Sequence, residues 1–200
     1  MKKHKKGFVF FLIAILCFAM GFGLWGYNLL ENKQAQKSAQ AALTQLKETL
    51  QPTTLLPGEI PDYQLDTTRE MPIKTIDGID YIGILSIPSK NLELPIISNW
   101  SYPNLKISPC RYNGTVYADD FIIAAHNFRS HFGSLKELSL GDAVVFTDVE
   151  GNEFSYRVVD LETLQPTAIE DMKTGDWDLT LFTCTLGGAS RVTVRCEKIK

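Results

Sequence analysis

Hydrophobic residues follow three successive patterns along this chain. Residues 7–30 form an uncharged run of about 24 residues, long enough for a helix to cross the roughly 30 Å hydrocarbon layer of a bilayer. The next segment, ENKQAQKSAQAALTQLKETL, is rich in helix formers and carries only a weak apolar stripe. Beyond Pro72, short β-rich runs alternate with Gly, Asn, Asp and Pro. The pattern predicts a membrane anchor, a helical stalk and a mostly β domain.

The apolar run has the flanks of a retained membrane anchor. Four lysines lie within the first six residues, and Trp25 and Tyr27 lie near the far end, where aromatic residues suit a membrane interface. A cleaved signal peptide is the alternative, but its apolar region is usually about 7–15 residues long and ends in a small-residue cleavage site. We therefore expect a single-pass protein of the cell membrane, with a cytoplasmic N-terminus and everything after Leu30 outside the cell.

Three segments follow from these patterns. Residues 1–30 form the basic tail and anchor, residues 31–72 a helical stalk and Pro-rich linker, and residues 73–200 the β domain. The apolar stripe of the stalk consists of Ala35, Ala39, Ala42, Leu43, Leu46 and Leu50. The stretch QPTTLLPGEIPDYQLDTTREMP has four prolines and no sustained period, which predicts a linker rather than a core element.

The β domain is expected to be an antiparallel sheet or a closed barrel. Its predicted strands are YIGILSIP, LELPII, FIIAAH, AVVFTD, EFSYRVVDLETL, DLTLFTC and RVTVRCEKI. The sequence EGNE between two of these runs predicts a hairpin turn. Residues 168–173 are long enough for one helical turn.

Alternation along the strands separates a core face from an outer face, because successive side chains point to opposite sides of a sheet. The core positions are Leu179, Leu181, Val192 and Val194. The outer positions are Thr180, Phe182, Cys184, Arg191, Thr193 and Arg195. In FIIAAH both parities are apolar, and the better assignment places His126 outside with Ile122 and Ala124. Cys184, His126 and Arg191 can therefore share one surface.

These three residue types supply the parts of an acyl-transfer site. Cysteine attacks carbonyl carbons as the thiolate, which neighbouring cations favour. A histidine can pass a proton to a leaving amine, and an arginine can stabilise an oxyanion. Cys184, His126 and Arg191 are thus the candidate catalytic residues. Arg195 competes with Arg191, but residues four apart on a strand are separated by about 13 Å, so only one of them can meet the thiolate.

The motifs around these residues resemble the sortase family of Gram-positive surface transpeptidases over about residues 81–198. IGILSIPSKNLELPII is similar to the opening strands of a sortase, FIIAAHNF to the strand that ends in the catalytic histidine, and LGDAVVFTDVEGNEFSYRVV to the central hairpin. TLFTC fits the TLxTC signature and is followed by RVTVR. The resemblance implies that Cys184 is the nucleophile and His126 the acid and base. It also favours Arg191, which opens the last strand as in members with a short loop after the cysteine.

A sortase-like protein would be a closed or nearly closed β-barrel with short helices, and we expect no cofactor. The resemblance implies an enzyme that cleaves an LPxTG-like sorting signal of a surface protein and holds the acyl part as a thioester on Cys184. It then joins that part to an amine of peptidoglycan or its precursor. The signal would lie in the outer groove, and the candidate contacts are Ile122, Ala124, Thr180, Phe182 and Arg195.

Three departures from the family pattern leave the subclass open. Ala125 replaces the usual glycine before the histidine. The lid motif of pilin-polymerising sortases, Asp-Pro followed by an aromatic residue, is absent from the sequence of residues 51–80. The stretch between Leu164 and Trp177 is too short for the long helix of class B members, although HNFRSHFGSL resembles their loop after the histidine.

Two other functions are alternatives. A hydrolytic cysteine protease of the same fold would use the same cysteine and histidine but let water attack the thioester. A membrane-tethered β domain would bind a partner without catalysis.

Charge and the remaining cysteines narrow the choice of partners. Outside the tail lysines, the chain carries sixteen Lys and Arg against twenty-three Asp and Glu, which argues against a nucleic-acid partner. No CxxC pair supports a zinc or redox motif. Cys110 and Cys196 could form a disulfide, which an extracytoplasmic location permits, or be two buried thiols. Without an ordered loop of oxygen ligands we assign no metal.

Overall fold

Eight strands close into a barrel, and a ninth pairs with the beginning of one of them. The computed structural model describes residues 2–50, 60–185 and 187–199. The strands are β1 (Lys74–Ile76), β2 (Ile79–Ile87), β3 (Leu92–Ile97), β4 (Cys110–Asn113), β5 (Phe121–Ala125), β6 (Ala143–Asp148), β7 (Glu153–Leu164), β8 (Leu179–Cys184) and β9 (Arg191–Lys198). Their order is β1-β2-β3-β4-β5-β8-β9-β7-β6, and β2 also pairs with β6 to close the ring. The predicted mostly β, closed barrel is confirmed.

Most neighbouring strands are antiparallel, but two pairs are parallel. β3 pairs with β4 and β5 pairs with β8 in the parallel sense. The carboxyl ends of parallel strands meet at the same edge of a sheet, so the residues that follow β5 and end β8 are neighbours in space. This pair positions the candidate site.

The hairpin between β6 and β7 has the turn that EGNE predicts. Asp148 is buried at its start, and its carboxylate accepts hydrogen bonds from the Asn152 backbone N–H and side chain at 2.9 and 2.8 Å and from the Tyr117 hydroxyl at 2.8 Å. Gly151 has φ of 87°, a left-handed conformation that glycine adopts without steric cost. The buried carboxylate thus ties the turn to the barrel.

Two hydrophobic clusters lie on opposite faces of the sheet. The larger one contains the predicted core residues Leu179, Leu181 and Val194, with Val192 packed against it. The smaller one holds Ala124 and side chains from β2, β3 and β4, and it is covered by the first helix. The alternation predicted for β8 and β9 is therefore confirmed.

The first helix, α1 (Lys2–Thr49), runs without interruption from the N-terminal region to the barrel. Among the described residues it is the helix whose length and apolar composition suit a membrane crossing, and its most apolar window is not buried against the domain. The stripe Ala35, Ala39, Ala42, Leu43 and Leu46 is buried. The helix predicted over residues 31–50 is present as far as Thr49. It packs on the barrel, since Ala42, Leu43 and Leu46 belong to the smaller cluster and Ala39 to the larger one.

The predicted linker is only partly described, since residues 51–59 lie outside the described residues. Its second half includes the short helix α2 (Asp62–Leu65). Tyr63 stacks on Tyr117 with ring centroids 5.3 Å apart, and Met71 is buried in the larger cluster. The aperiodic segment therefore contributes anchors to the core, contrary to the expectation of a linker.

Two further short helices are α3 (Tyr102–Leu105) and α4 (Ile169–Lys173), and the latter confirms the helical turn predicted within residues 168–173.

Candidate active site

Cys184 and His126 lie at matching ends of two neighbouring strands. β5 and β8 are in parallel register with Ala125 opposite Thr183. The residues that come next are His126, directly after β5, and Cys184, at the end of β8. Neighbouring strands lie about 4.7–4.9 Å apart. The Thr183 hydroxyl donates to the Ala125 carbonyl at 2.8 Å, which holds this register next to the two reactive side chains.

Arg191 lies directly opposite Cys184 on the other side. β8 and β9 are antiparallel, and Cys184 and Arg191 are register partners. The connecting loop is closed by the Thr185 N–H donating to the Ser190 carbonyl at 2.9 Å. The described hydrogen bonds of Arg191 are long, 3.3 Å each, and both use Nη1. A guanidinium has five N–H donors, so donors are left for an oxyanion bound at Cys184.

A groove of about 240 Å³ contains all three side chains. One wall is aromatic and consists of Trp100, Tyr102, Tyr112 and Phe182. A second wall comes from the connection between β7 and β8 and consists of Gln165, Pro166, Ala168, Ile169 and Met172. The groove is therefore a largely apolar cleft with one thiol, one imidazole and one guanidinium, the arrangement typical of a small-molecule or peptide site.

The predicted substrate contacts divide into two groups. Ala124 and Phe182 line the groove. Ile122, Thr180 and Arg195, all within the described residues, do not line it. Ile122 and Thr180 are buried, and Arg195 is only 2% exposed. This corrects the expectation of an open outer face. The connection between β7 and β8 covers Arg195 and Thr180, since Arg195 bonds to the Asp171 and Met172 carbonyls and to Thr180.

The guanidinium of Arg195 is used within the protein. Nε donates to Glu162 at 2.7 Å, Nη1 to the Met172 carbonyl at 2.9 Å and to the Thr180 hydroxyl at 3.0 Å, and Nη2 to the Asp171 carbonyl at 2.6 Å. These bonds join the end of α4 to the sheet. The two arginines that the sequence left in competition thus occupy different places, one in the groove and one behind its wall.

Burial is the main influence on the pKa of His126, and it lowers that pKa. The Glu31 carboxylate opposes this shift, whereas the positive charge of Lys106 adds to it. The ring lies 4.8 Å from the ring of Phe128. The neutral imidazole is favoured at neutral pH, and a neutral imidazole can accept a proton from the thiol and return it to a leaving amine.

The remaining cysteines are separated from the groove. Cys110 and Cys196 are buried free thiols, and burial raises the pKa of each to about 12. Cys110 belongs to the smaller cluster and Cys196 to the larger one, on opposite faces of the sheet. Of the two readings that the sequence left open, the structure has the buried thiols and not the disulfide.

The sequence did not single out most of the residues that form the walls. The rings of Tyr102, Trp100, Tyr112 and Phe182 are in contact one after the other, with centroids 5.2, 5.9 and 5.1 Å apart. The available signal was the aromatic cluster in NWSYP, directly after a predicted strand.

Among the described residues, no group of three or more His, Cys, Asp or Glu side chains could hold a metal ion.

Known proteins resemble this chain over most of its length. A family model described as the sortase domain matches residues 85–199. Sortase A of Bacillus anthracis is 27% identical over 186 residues, which cover 88% of this chain and 87% of that protein. The structure of Clostridium perfringens sortase C with the C-terminal cell wall sorting motif has a TM-score of 0.55 at 26% identity, covering 70% of this chain and 84% of that chain. Streptococcus pneumoniae sortase C shares the fold, with a TM-score of 0.56 at 22% identity. The match covers 86% of this chain and 89% of the pneumococcal chain.

Proposed function

We propose, from the premise that this chain belongs to the sortase family, that it is a membrane-anchored transpeptidase which joins surface proteins to a cell-wall amine. It would cleave an LPxTG-like sorting signal through a thioester on Cys184. One observation carries the proposal: adjacent strand ends bring Cys184, His126 and Arg191 into one groove. Family membership gives the general class, a cysteine transpeptidase, and the substrate and the acceptor are the proposed part.

In the first half of the reaction, Cys184 would attack the scissile carbonyl carbon of the signal. His126 takes the proton from the thiol, and the new C–S bond forms as the carbonyl π electrons move to oxygen. Arg191, opposite Cys184, would stabilise that oxyanion. When the oxyanion collapses, the C–N bond breaks and His126 gives its proton to the leaving amine.

The second half repeats these steps with a new amine. The acceptor nitrogen attacks the thioester carbon, and His126 takes the proton that the nitrogen loses. The C–S bond then breaks, and Cys184 leaves as the thiolate or is protonated by His126. Water in place of the amine would make the same protein a protease, so the acceptor decides between transfer and hydrolysis.

The groove has room and surface for an apolar peptide. Ala124 and Phe182 line the groove together with Cys184, and the aromatic wall continues from Phe182 to Tyr112. An LPxTG-like signal begins with two apolar residues, which suit such a surface. The Clostridium perfringens sortase C structure is described with a cell wall sorting motif, which supports the same class of substrate here.

The N-terminal helix supports an anchor in the membrane. Its apolar part is long enough to cross a bilayer, and the basic residues before it favour a cytoplasmic N-terminus by the positive-inside rule. With that orientation the barrel and the groove would lie outside the cell, where sorting signals and cell-wall amines meet.

A product analysis on the full chain tests this proposal. The protein in lipid nanodiscs is mixed with an LPxTG peptide and an amine, and the products are weighed by mass spectrometry. Transpeptidation predicts a thioester adduct on Cys184 and a peptide carrying the amine. Cys184→Ala should form neither, whereas Cys17→Ala, which alters only the anchor, should form both.

Two results would overturn the proposal. Hydrolysed peptide as the sole product at high amine concentration would favour the protease. No cleavage of any member of a sorting-peptide library, with Cys184→Ala indistinguishable from the unaltered protein, would favour a binding domain.

A further inference from the structure

Two loops beside the groove, the one after α3 and the one after β5, contact α1 directly after its apolar part. Lys106, which follows α3, is ion-paired with Glu31 at 2.7 Å. Ser130, four residues after His126, donates to the Asn32 side chain at 2.9 Å. Glu31 is the first charged residue after the apolar run. The groove is therefore at the end of the barrel that lies nearest the membrane-crossing part of the helix.

The length of the run gives the depth of these contacts. A helix of 24 residues is about 36 Å long, whereas the hydrocarbon layer is roughly 30 Å thick. If residues 7–30 cross the bilayer, Glu31 lies in the outer head-group layer. Lys106 and the beginning of the loop after His126 are then at the same level, because they bond to Glu31 and Asn32.

Two exposed aromatic side chains lie next to this level. Trp100 is 40% exposed and Tyr102 is 71% exposed, and their ring centroids are 5.2 Å apart. Tyr102 begins α3, and four helical residues at 1.5 Å each place it about 6 Å from Lys106. The Ser101 side chain accepts from the Asn104 N–H at 3.1 Å, which fixes the turn that presents both rings.

We propose that Trp100 and Tyr102 form a second membrane contact, inserted into the head-group layer of the same bilayer that α1 spans. Trp and Tyr are the residues enriched at that depth, where one end of the ring meets hydrocarbon and the other meets water. Both rings also line the groove, so its mouth opens at the bilayer surface and substrates reach Cys184 along the membrane. The inference rests on the proposed anchor.

The three tryptophans of the chain make the test internal. Trp25 lies within the apolar run and Trp100 in the proposed contact. Trp177 lies 6.0 Å from the Arg195 guanidinium. Arg195 is four residues, about 13 Å, beyond Arg191 along β9, so Trp177 is the tryptophan outside the proposed contact. Three variants of the full chain, each retaining one tryptophan and with Phe at the other two positions, are placed in vesicles of phosphatidylcholine. Fluorescence is measured with unlabelled lipid and with lipid brominated near the head group or deep in the acyl chain.

The proposal predicts that Trp100 is quenched by shallow bromines at least roughly half as strongly as Trp25, and less by deep ones, since interfacial groups lie about 5–10 Å into the boundary. Trp177 should not be quenched. Quenching of Trp25 without quenching of Trp100 would overturn this inference and leave the anchor standing. An unquenched Trp25 would refute the anchor itself. Should Trp177→Phe disturb the fold, the quenching lost between the unaltered chain and Trp100→Phe gives the same comparison.

Discussion

Arg195 and Thr180 are register partners on β9 and β8, and the Arg195 guanidinium donates to the Thr180 hydroxyl at 3.0 Å on the covered face of the sheet. The same side chain holds the carbonyls of Asp171 and Met172, and Met172 belongs to the wall of the groove. Arg191, four residues earlier, faces the groove and Cys184 instead. One strand thus supplies both a candidate oxyanion donor and a buried clamp on the groove wall.

We predict that Arg191→Ala lowers kcat by about 10²–10³ with little change in stability, because a lost oxyanion donor acts on the transition state. Among the described residues, Arg191 makes two long hydrogen bonds, so the folded state loses little. Steady-state transpeptidation and thermal unfolding of the same preparation check both halves. Arg191→Lys should recover only part of the rate, since an ammonium lacks the planar fork.

Arg195→Ala should have the opposite effect, a loss of stability with a smaller loss of kcat. Removing the guanidinium takes a donor from the buried Met172 carbonyl, the Asp171 carbonyl and the Glu162 carboxylate. The free energy of unfolding should therefore fall by about 2 kcal/mol. The groove wall at Met172 loses its clamp, which should raise KM more than it lowers kcat. If Arg195→Ala instead abolished turnover at unchanged KM while Arg191→Ala stayed active, the assignment of the two arginines would be reversed.

The cysteines should separate by reactivity. Cys184 lies in the groove, whereas burial raises the pKa of Cys110 and Cys196 to about 12, so almost none of either is thiolate at pH 7. A thiol-alkylating reagent should therefore label Cys184 first under native conditions and abolish transpeptidation in step with that labelling. Peptide mapping by mass spectrometry identifies the site.

The buried cysteines give the control for that experiment. Cys110→Ala and Cys196→Ala each leave a small cavity in a hydrophobic cluster, so they should cost stability, about 1 kcal/mol, and leave turnover nearly unchanged. Initial alkylation of Cys110 or Cys196, with Cys184→Ala still able to join peptide to amine, would contradict the assigned nucleophile.

Phe182→Ala should weaken substrate binding more than catalysis. Phe182 is half-buried in the groove and contacts Tyr112 edge to face at 5.1 Å, but it carries no chemistry. Truncation should raise KM about tenfold, the equivalent of roughly 1.4 kcal/mol of apolar contact, with kcat within a factor of about two. Phe182→Leu, which keeps most of the apolar surface, should lie between the two. An unchanged KM would mean that the peptide lies elsewhere.

The sequence predicted the elements that follow from local periodicity. Leu179 and Leu181 indicated the core face of β8, and that parity placed Cys184 on the outer face. The same reasoning placed His126 on the outer face of its strand. The barrel brings the ends of those strands together by the parallel pairing of β5 with β8, which no local pattern specifies. The resemblance to a family supplied the joint roles of Cys184 and His126, but not the parallel pairing.

Parity also failed in an instructive way. Thr180, Arg195 and Cys184 share one face, but only Cys184 reaches the groove, because the connection between β7 and β8 folds over the other two. Whether a loop covers a sheet depends on contacts distant in sequence, here those of Arg195 with Asp171 and Met172. Periodicity records which side a residue faces and not what lies on that side.

His131 should make the domain sensitive to acid. It is fully buried, and neither ring nitrogen has a hydrogen-bond partner among the described residues. Burial, reinforced by the positive charge that His126 can carry, lowers the pKa of His131 to about 4. An unfolded histidine titrates near 6.5, so between these values the unfolded state binds a proton that the folded state does not. The stability from the neutral ring is complete above about pH 6.5 and is lost as the pH falls towards 4.

The full effect is about 3 kcal/mol, the difference between the two pKa values expressed as free energy. Thermal unfolding of the full chain in micelles, followed by near-ultraviolet circular dichroism between pH 7.5 and 4, measures it. His131→Leu removes the titrating ring, so its unfolding temperature should fall much less over that range. His126→Ala is the comparison variant. It should keep most of the acid sensitivity, because burial, the main cause of the lowered pKa of His131, remains when the charge of His126 is removed. If His126→Ala abolished the acid sensitivity and His131→Leu left it intact, the buried ring would not be its source, and the loop after β5 would have to hold His131 with partners for its nitrogens.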